Sequence, residues 1–317
     1  MLNTGVKDLA EKIRSKDISA LELTQFYIDR IEQHNGLINA VIAERFDRAL
    51  SDARLADKMV RADASLGPLH GIPMTIKDAY EVTGLTCDVG PLPYTGRVSP
   101  HAAVAVQRLR AAGAIILGKT NTPLLCADLQ TYNAIHGTTN NPHDFAHTPG
   151  GSSGGAAAAL ASGMTPLEFG SDIGGSIRTP AHFCGVFGHK STFGVIPQSG
   201  HVPPVHGART GSALNVVGPL ARTVTDLELA FNVTVGLDER VGSGLRLALP
   251  RCKIRSPRSL RVGLWLGDDY CPVDAELLRG IERAARVLES EGAIVEEAKP
   301  DFSLAEHHET YLMHLAP

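Results

Sequence analysis

Between residues 147 and 200 the chain reads HTPGGSSGGAAAALASGM and then EFGSDIGGSIRTPAHFCGVFGHKSTFG, a glycine-dense stretch with serines set among the glycines. A single glycine is most simply a tight turn, but clustered glycines bring backbone close to something at many positions. Three chemistries compete for this region. A phosphate-cradling loop needs Gly, four residues and Gly-Lys-Ser/Thr, or G-x-G-x-x-G directly after a strand, and neither spacing occurs. A nucleophile elbow fits in form, because Gly151-Ser152-Ser153-Gly154-Gly155 matches G-x-S-x-G with Ser153 at its centre. That elbow requires a buried strand before it, whereas NNPHDFAHTPG is polar and proline-rich. The third chemistry uses two serines and a lysine. Ser152 lies in GGSSGG (150–155), Ser176 follows 24 positions later in GSDIGGSIRTPA (170–181), and HGIPMTIKD (70–78) places Lys77 at the end of a predicted strand.

These three motifs, in this order and nearly this spelling, resemble the amidase signature family. GKTNTP (118–123), FCGVFGHK (183–190) and GPLARTVTDLELAF (218–231) extend the likeness over most of the chain from about residue 4. The resemblance implies that Ser176 is the nucleophile, that Ser152, on a cis peptide bond, relays the proton, and that Lys77 is the base. It also implies an oxyanion hole built from the backbone N–H groups of Ile173, Gly174, Gly175 and Ser176. The roles are physically coherent. A serine hydroxyl is a poor nucleophile until a base takes its proton. Lysine serves as that base only when uncharged, so its pKa must fall from about 10.4 toward 7 or 8, roughly 4 kcal/mol drawn from burial and nearby dipoles. Met74 and Ile76 flank Lys77 with apolar bulk. Two glycines before Ser176 leave room for successive N–H donors to converge on one point.

Other residues are expected to support this set. Ser153 is read as a hydroxyl orienting Lys77 or Ser152, or as a plain turn residue. Asp78 and Asp172 either tune local charge or cap turns, with Arg178 pairing one of them. His182, His201 and His206 permit a Ser-His-Asp triad in principle, but thirteen scattered histidines show no fixed spacing. By the resemblance, the residues after GKTNTP form a mainly apolar wall of the acyl pocket, Leu124, Leu125, Cys126, Ala127, Asp128 and Leu129. The implied substrate is an aliphatic or aryl amide of modest size, with Asp128 meeting a polar or cationic group. Its class is a linear-amide amidohydrolase that needs no cofactor or metal. Three alternatives stay open: the A subunit of a glutamyl-tRNA amidotransferase, a G-x-S-x-G esterase acting through Ser153, and a non-catalytic binding protein. The loop HVPPVHGARTGSA (201–213), and His189 and Ser191 where relatives have Leu and Pro, are expected to shape the leaving-group side.

The elements that position these residues follow from periodicity. Ser19 with Glu22 forms a capping box ahead of Leu23, Phe26, Tyr27 and Ile31 on one helical face. Phe46, Ala49, Leu50 and Ala53 mark a second helix after the apolar run AVIA. From residue 68, short apolar runs alternate with helical stretches such as AVAVQRLRAAG, ended by Gly113 and followed by AIILG. AAAAL after Gly155 reads as a tightly packed helix whose N-terminus points at the site. RVGLWL, a helix carrying Leu277, Ile281, Ala284 and Leu288, and AIVEEA read as a βαβ unit with a parallel strand pair. The fold expected is α/β, a large mixed and mostly parallel central sheet flanked by helices on both faces. It is expected as one domain over 1–317, with a catalytic core at about 68–235. Family members are longer, so the C-terminal portion of their fold is expected to be missing after Pro317, inside a helix capped by Ser303 and Glu306.

The 317 residues are 43% apolar and 20% charged, which suits an ordinary globular protein. A formal charge of −4 and the lack of any Lys/Arg block argue against nucleic acid as a partner. Five widely spaced cysteines, none in a C-x-x-C pair, argue against a disulfide framework or a zinc site and are taken as reduced thiols. The segment after Met1 is charged and lacks an apolar leader, and no uncharged stretch is long enough to span a bilayer. The expected location is cytoplasmic, with a small amide as partner, no membrane, and a homodimer as the option for self-association.

Overall fold

The computed structural model describes residues 1–89, 96–202, 212–238, 242, 244–250, 252, 254 and 256–315. Contacts divide the chain into two compact units, 1–247 and 248–317. In chain order the first unit contains α1 (Val6–Arg14), α2 (Ala20–Ile38), β1 (Val41–Glu44), α3 (Phe46–Arg61), β2 (Pro73–Lys77), α4 (Val104–Ala111), β3 (Ile115–Thr120), β4 (Tyr132–Asn133), β5 (Gly137–Thr138), α5 (Gly154–Ala161), β6 (Leu167–Asp172), α6 (Arg178–Cys184), β7 (Phe187–Gly188), β8 (Val216–Ala221) and α7 (Val224–Thr234).

The helices start and stop where local chemistry dictates. Ser19 accepts from Glu22 N while the Glu22 carboxylate takes the Ser19 N–H, so both orphan donors at the start of α2 are satisfied. Leu23, Tyr27, Ile28 and Ile31 then fall on one face and are buried in the main core. Strands β2 and β3 are apolar runs buried at every residue, as expected of strands covered on both faces. They pair in parallel, and β1 adds antiparallel at the other edge of β3.

A second three-stranded ladder runs β6-β8-β7, with both pairings antiparallel. Strand β6 lies beside β2. The two are tied by side chains: Thr75 N donates to Thr165 Oγ1 at 3.2 Å and Tyr80 O–H to Gly170 O at 2.5 Å. The α/β architecture is as expected and the sheet is mixed. Its parallel share is smaller than expected, because among the described residues parallel ladders join β2 to β3 and the strand pair of the second unit alone. Helix α5 is built almost wholly of Gly and Ala and is buried throughout except at Ala161. Small side chains let its backbone approach β6 and α6 closely.

The second unit carries β9 (Arg261–Leu264), α8 (Ala275–Ser290), β10 (Ile294–Glu297) and α9 (Leu304–Leu315). The βαβ reading holds: β9 and β10 pair in parallel, with Ile294 opposite Arg261. Asp274 caps α8 by accepting from Glu276 N at 2.7 Å, and Ser303 Oγ accepts from Glu306 N at the start of α9. All five cysteines are free thiols. Among the described residues no helix is long and apolar enough to cross a membrane.

Candidate active site

Two lysines are buried completely in the first unit, and their surroundings separate them chemically. Lys119, at the end of β3, ion-pairs with Asp78 at 2.8 Å and donates to Asp78 O and Thr86 O. Burial alone would strip its proton, but Asp78 beside it outweighs that and holds the ammonium above its ordinary value. Lys77, at the end of β2, ion-pairs with no carboxylate among the described residues; it donates to Ser152 Oγ at 2.6 Å and to Ser171 Oγ at 3.0 Å, and the Cys126 thiol lies beside it. Its pKa falls. Burial is the dominant cause, opposed by Cys126, Asp172 and Glu168. The lysine without a carboxylate in contact is the one suited to give up its proton.

Ser152 is held where Lys77 reaches it by the chain before α5. The Gly151–Ser152 peptide bond is cis. A Cβ on Gly151 would sit 2.7 Å from Gln130 N, so only glycine passes there. Ser153 stands immediately before α5 and is fully buried. Its hydroxyl bonds the Ser171 backbone, donating to Ser171 O at 3.3 Å, and its N–H donates to Ser176 O at 3.0 Å. It bonds the backbone of the residue whose hydroxyl accepts from Lys77. No strand among the described residues runs directly into it, which removes the elbow geometry that G-x-S-x-G requires.

Asp172, the last residue of β6, shapes the loop that carries Ser176. One carboxylate oxygen accepts from Gly175 N at 2.9 Å, and the other from Ile177 N at 3.0 Å and Arg178 N at 3.2 Å. The Arg178 guanidinium closes on both oxygens, at 2.8 and 3.0 Å. Burial pushes the carboxyl up, but the Arg178 bonds and the Ile177 and Gly175 N–H groups outweigh it and hold it below its ordinary value. Asp172 is thus an ionised anchor for the loop and Arg178 its clamp. One expectation changes here. The Gly175 N–H is spent on Asp172, whereas those of Ile173, Gly174 and Ser176 bond no acceptor among the described residues. Gly175 contributes its φ of +118° instead; a Cβ there would meet Thr179 Oγ1 at 2.7 Å.

Ser152, Ser171, Asp172, Ile173 and Ser176 line a cleft of about 180 Å³. Of the expected acyl wall, Leu125 and Cys126 line it as well; both have left-handed backbone, and Leu125 N bonds Val89 O. Asp128 and Leu129 do not line it. Asp128 instead accepts from Gln130 N and Tyr132 O–H, which occupies the carboxylate assigned to a substrate cation. His201 and Asn215 also line it, with the His201 ring edge-on to Tyr80. His182 is exposed on α6 away from the cleft. His206 and most of the 201–213 loop lie outside the described residues. Asp78 both caps a turn, accepting from Asp88 N and Val89 N, and pairs with Lys119.

Sequence reasoning missed Ser171, Glu168, His201's place in the cleft and Asn215. The signal for the first two was present: a serine and a glutamate inside LEFGSD, a strand buried at every position.

The Amidase family profile matches residues 22–316. Fatty-acid amide hydrolase 2-A of Danio rerio is 41% identical over 234 residues, covering 72% of this chain and 44% of that protein. The A subunit of the glutamyl-tRNA(Gln) amidotransferase of Carboxydothermus hydrogenoformans is 36% identical, covering 92% of this chain and 60% of that one. A bacterial aryl acylamidase of the amidase signature family superposes with a TM-score of 0.86 at 30% identity, over 97% of this chain and 64% of that one. The chain spans 44–60% of the length of the two curated relatives. Sequence motifs, fold and site geometry agree, and the chain belongs to the amidase signature family.

Proposed function

We propose that this chain hydrolyses the C–N bond of a small carboxylic amide through an acyl-enzyme on Ser176. The observation that carries the proposal is the 2.6 Å bond from fully buried Lys77 to Ser152, in a cleft that Ser176 also lines. Neutral Lys77 draws the Ser152 proton, Ser152 draws that of Ser176, and Ser176 Oγ attacks the carbonyl carbon. The oxyanion that forms is met by the N–H groups of Ile173, Gly174 and Ser176. On collapse the C–N bond breaks, and the proton returns from Lys77 through Ser152 to the leaving nitrogen. Water attacks the acyl carbon by the same relay and frees Ser176.

Leu125, Cys126 and Ile173 give the cleft apolar walls, which suits an aliphatic or aryl acyl group. The likeness to a fatty-acid amide hydrolase and an aryl acylamidase supports that class. A second reading, the glutaminase component of an amidotransferase, releasing ammonia from glutamine within a complex, draws on the 36% identity over most of this chain. The test is a fluorophosphonate probe with mapping of the labelled residue, followed by a panel of amides, esters and carbamates. The label is expected on Ser176 and is to disappear in Ser176→Ala. Labelling of Ser153 would overturn the assignment. Glutamine hydrolysis that appears only with a partner protein would favour the second reading.

A further inference from the structure

Glu168 is a glutamate with no exposure inside a strand that is buried at every position. A carboxyl there costs several kcal/mol that an apolar residue would not, so its environment should show what retains it. One carboxylate oxygen accepts from Thr120 Oγ1 at 2.8 Å and the other from Phe169 N at 2.7 Å. The Thr75 hydroxyl lies beside it. These partners share a property. Thr120 is the cross-strand neighbour of Lys77 in the β2–β3 ladder, and Thr75 sits two residues before Lys77 on the same strand face. Strands β2, β3 and β6 therefore converge to seat this carboxyl alongside the amine.

We propose that Glu168 is a positioning residue for the reaction, a carboxyl built beside Lys77 whose charge governs how tightly that amine holds its proton. The inference rests on the assignment of Lys77 as base to Ser152 and Ser176. Lys77 is faced by the Ser152 and Ser171 hydroxyls, the Cys126 thiol, and the carboxyls of Asp172 and Glu168. Glu168 in turn is faced by Lys77 and the Tyr80 phenol. Arg178 and two backbone N–H groups keep Asp172 ionised. Glu168 behaves differently: burial pushes it up to about 7, against the donors from Thr120 and Phe169, the nearby Thr75 hydroxyl and the charge of Lys77. Of the two carboxyls, it is the one whose charge changes near neutrality.

The sign follows from charge alone. An ionised Glu168 stabilises the ammonium, so Lys77 keeps its proton to higher pH. A protonated Glu168 withdraws that support, and Lys77 becomes the free base at lower pH. The two titrations are coupled, which spreads the acid limb of activity over more than a single ionisation.

The decisive measurement is the pH dependence of kcat/KM, and of the rate at which a sulfonyl fluoride labels Ser176, in wild type, Glu168→Gln and Thr120→Val. Glu168→Gln is expected to move the acid limb to lower pH by about one unit and to sharpen it to one ionisation. Thr120→Val removes a donor to the carboxylate, raises the carboxyl further, and is expected to move the limb the same way by less. A limb that stays in place while activity drops uniformly in both variants overturns the inference. Should Glu168→Gln fail to fold, Thr120→Val alone decides. Lys77→Met separates the two levels. If it retains labelling at Ser176, the underlying assignment falls; if it abolishes labelling while the limb does not respond to Glu168→Gln, only the role of Glu168 falls.

Discussion

Replacing Lys77 by Met removes the amine and keeps an unbranched apolar stem in the same fully buried position. Two consequences follow, and they point in opposite directions. Without the base, Ser152 has nowhere to pass a proton, and kcat/KM is expected to fall by about 10³-fold or more, roughly 4 kcal/mol of transition-state stabilisation. Stability responds differently. The Ser152 and Ser171 hydroxyls lose their 2.6 and 3.0 Å bonds to Nζ, at about 1 kcal/mol each. Against that, folding no longer has to desolvate a lysine. The folded-state pKa of Lys77 lies below its ordinary 10.5, so between those values the unfolded chain binds more protons than the native one. Wild type therefore gains stability as pH rises through that window and loses it below, at about 1.4 kcal/mol for each unit of depression. Thermal melts of both proteins at pH 7 and pH 10 test this. The difference in Tm between wild type and variant should shift toward wild type at pH 10. A flat or reversed difference would refute the claim that Lys77 is discharged by burial. Retention of more than a tenth of the turnover would refute its role as base.

Three further perturbations probe the supports of the site. Asp172→Asn removes the charge that three N–H groups and the Arg178 guanidinium converge on; it should lower stability by about 3 kcal/mol and lower kcat more than it raises KM, as steady-state kinetics and denaturant melts will show. Gly175→Ala forces a Cβ to within 2.7 Å of Thr179 Oγ1 at a φ of +118°, so acylation of Ser176 should slow by about 10²-fold, measured as the rate of fluorophosphonate labelling. Lys119→Met leaves Asp78 as an unpaired buried charge, and chemical denaturation should show a loss of about 3–5 kcal/mol with little change in KM for protein that remains folded.

Much of the site was legible because its chemistry is local. GGSSGG and GSDIGGS advertise backbone that must come close to something, and the apolar run ending at Lys77 reads as a buried strand that terminates on a charge. The helix starts were legible for the same reason: the Ser19–Glu22 box and the glycine after AVAVQRLRAA are decided within four residues. What could not be read depended on partners far along the chain. The two buried lysines look alike in sequence, each near the end of a β-strand, and only the 2.8 Å approach of Asp78 to Lys119 tells the ion-paired lysine from the one proposed as base. Asp128, the natural candidate for a polar substrate contact, is taken by Gln130 and Tyr132. Which N–H groups of residues 173–176 stay free was not legible, because which one is spent on Asp172 depends on how the 173–178 loop curls back over the end of β6.

By itself the sequence showed two serines and a lysine in motifs that resemble the amidase signature family, and the helices and strands that hold them, which follow from residue type and short-range spacing. The tertiary structure decided protonation. Whether an amine or a carboxyl keeps its charge depends on desolvation and on groups brought together from positions far apart in the chain, as Lys77, Ser152, Ser171 and Asp172 are here.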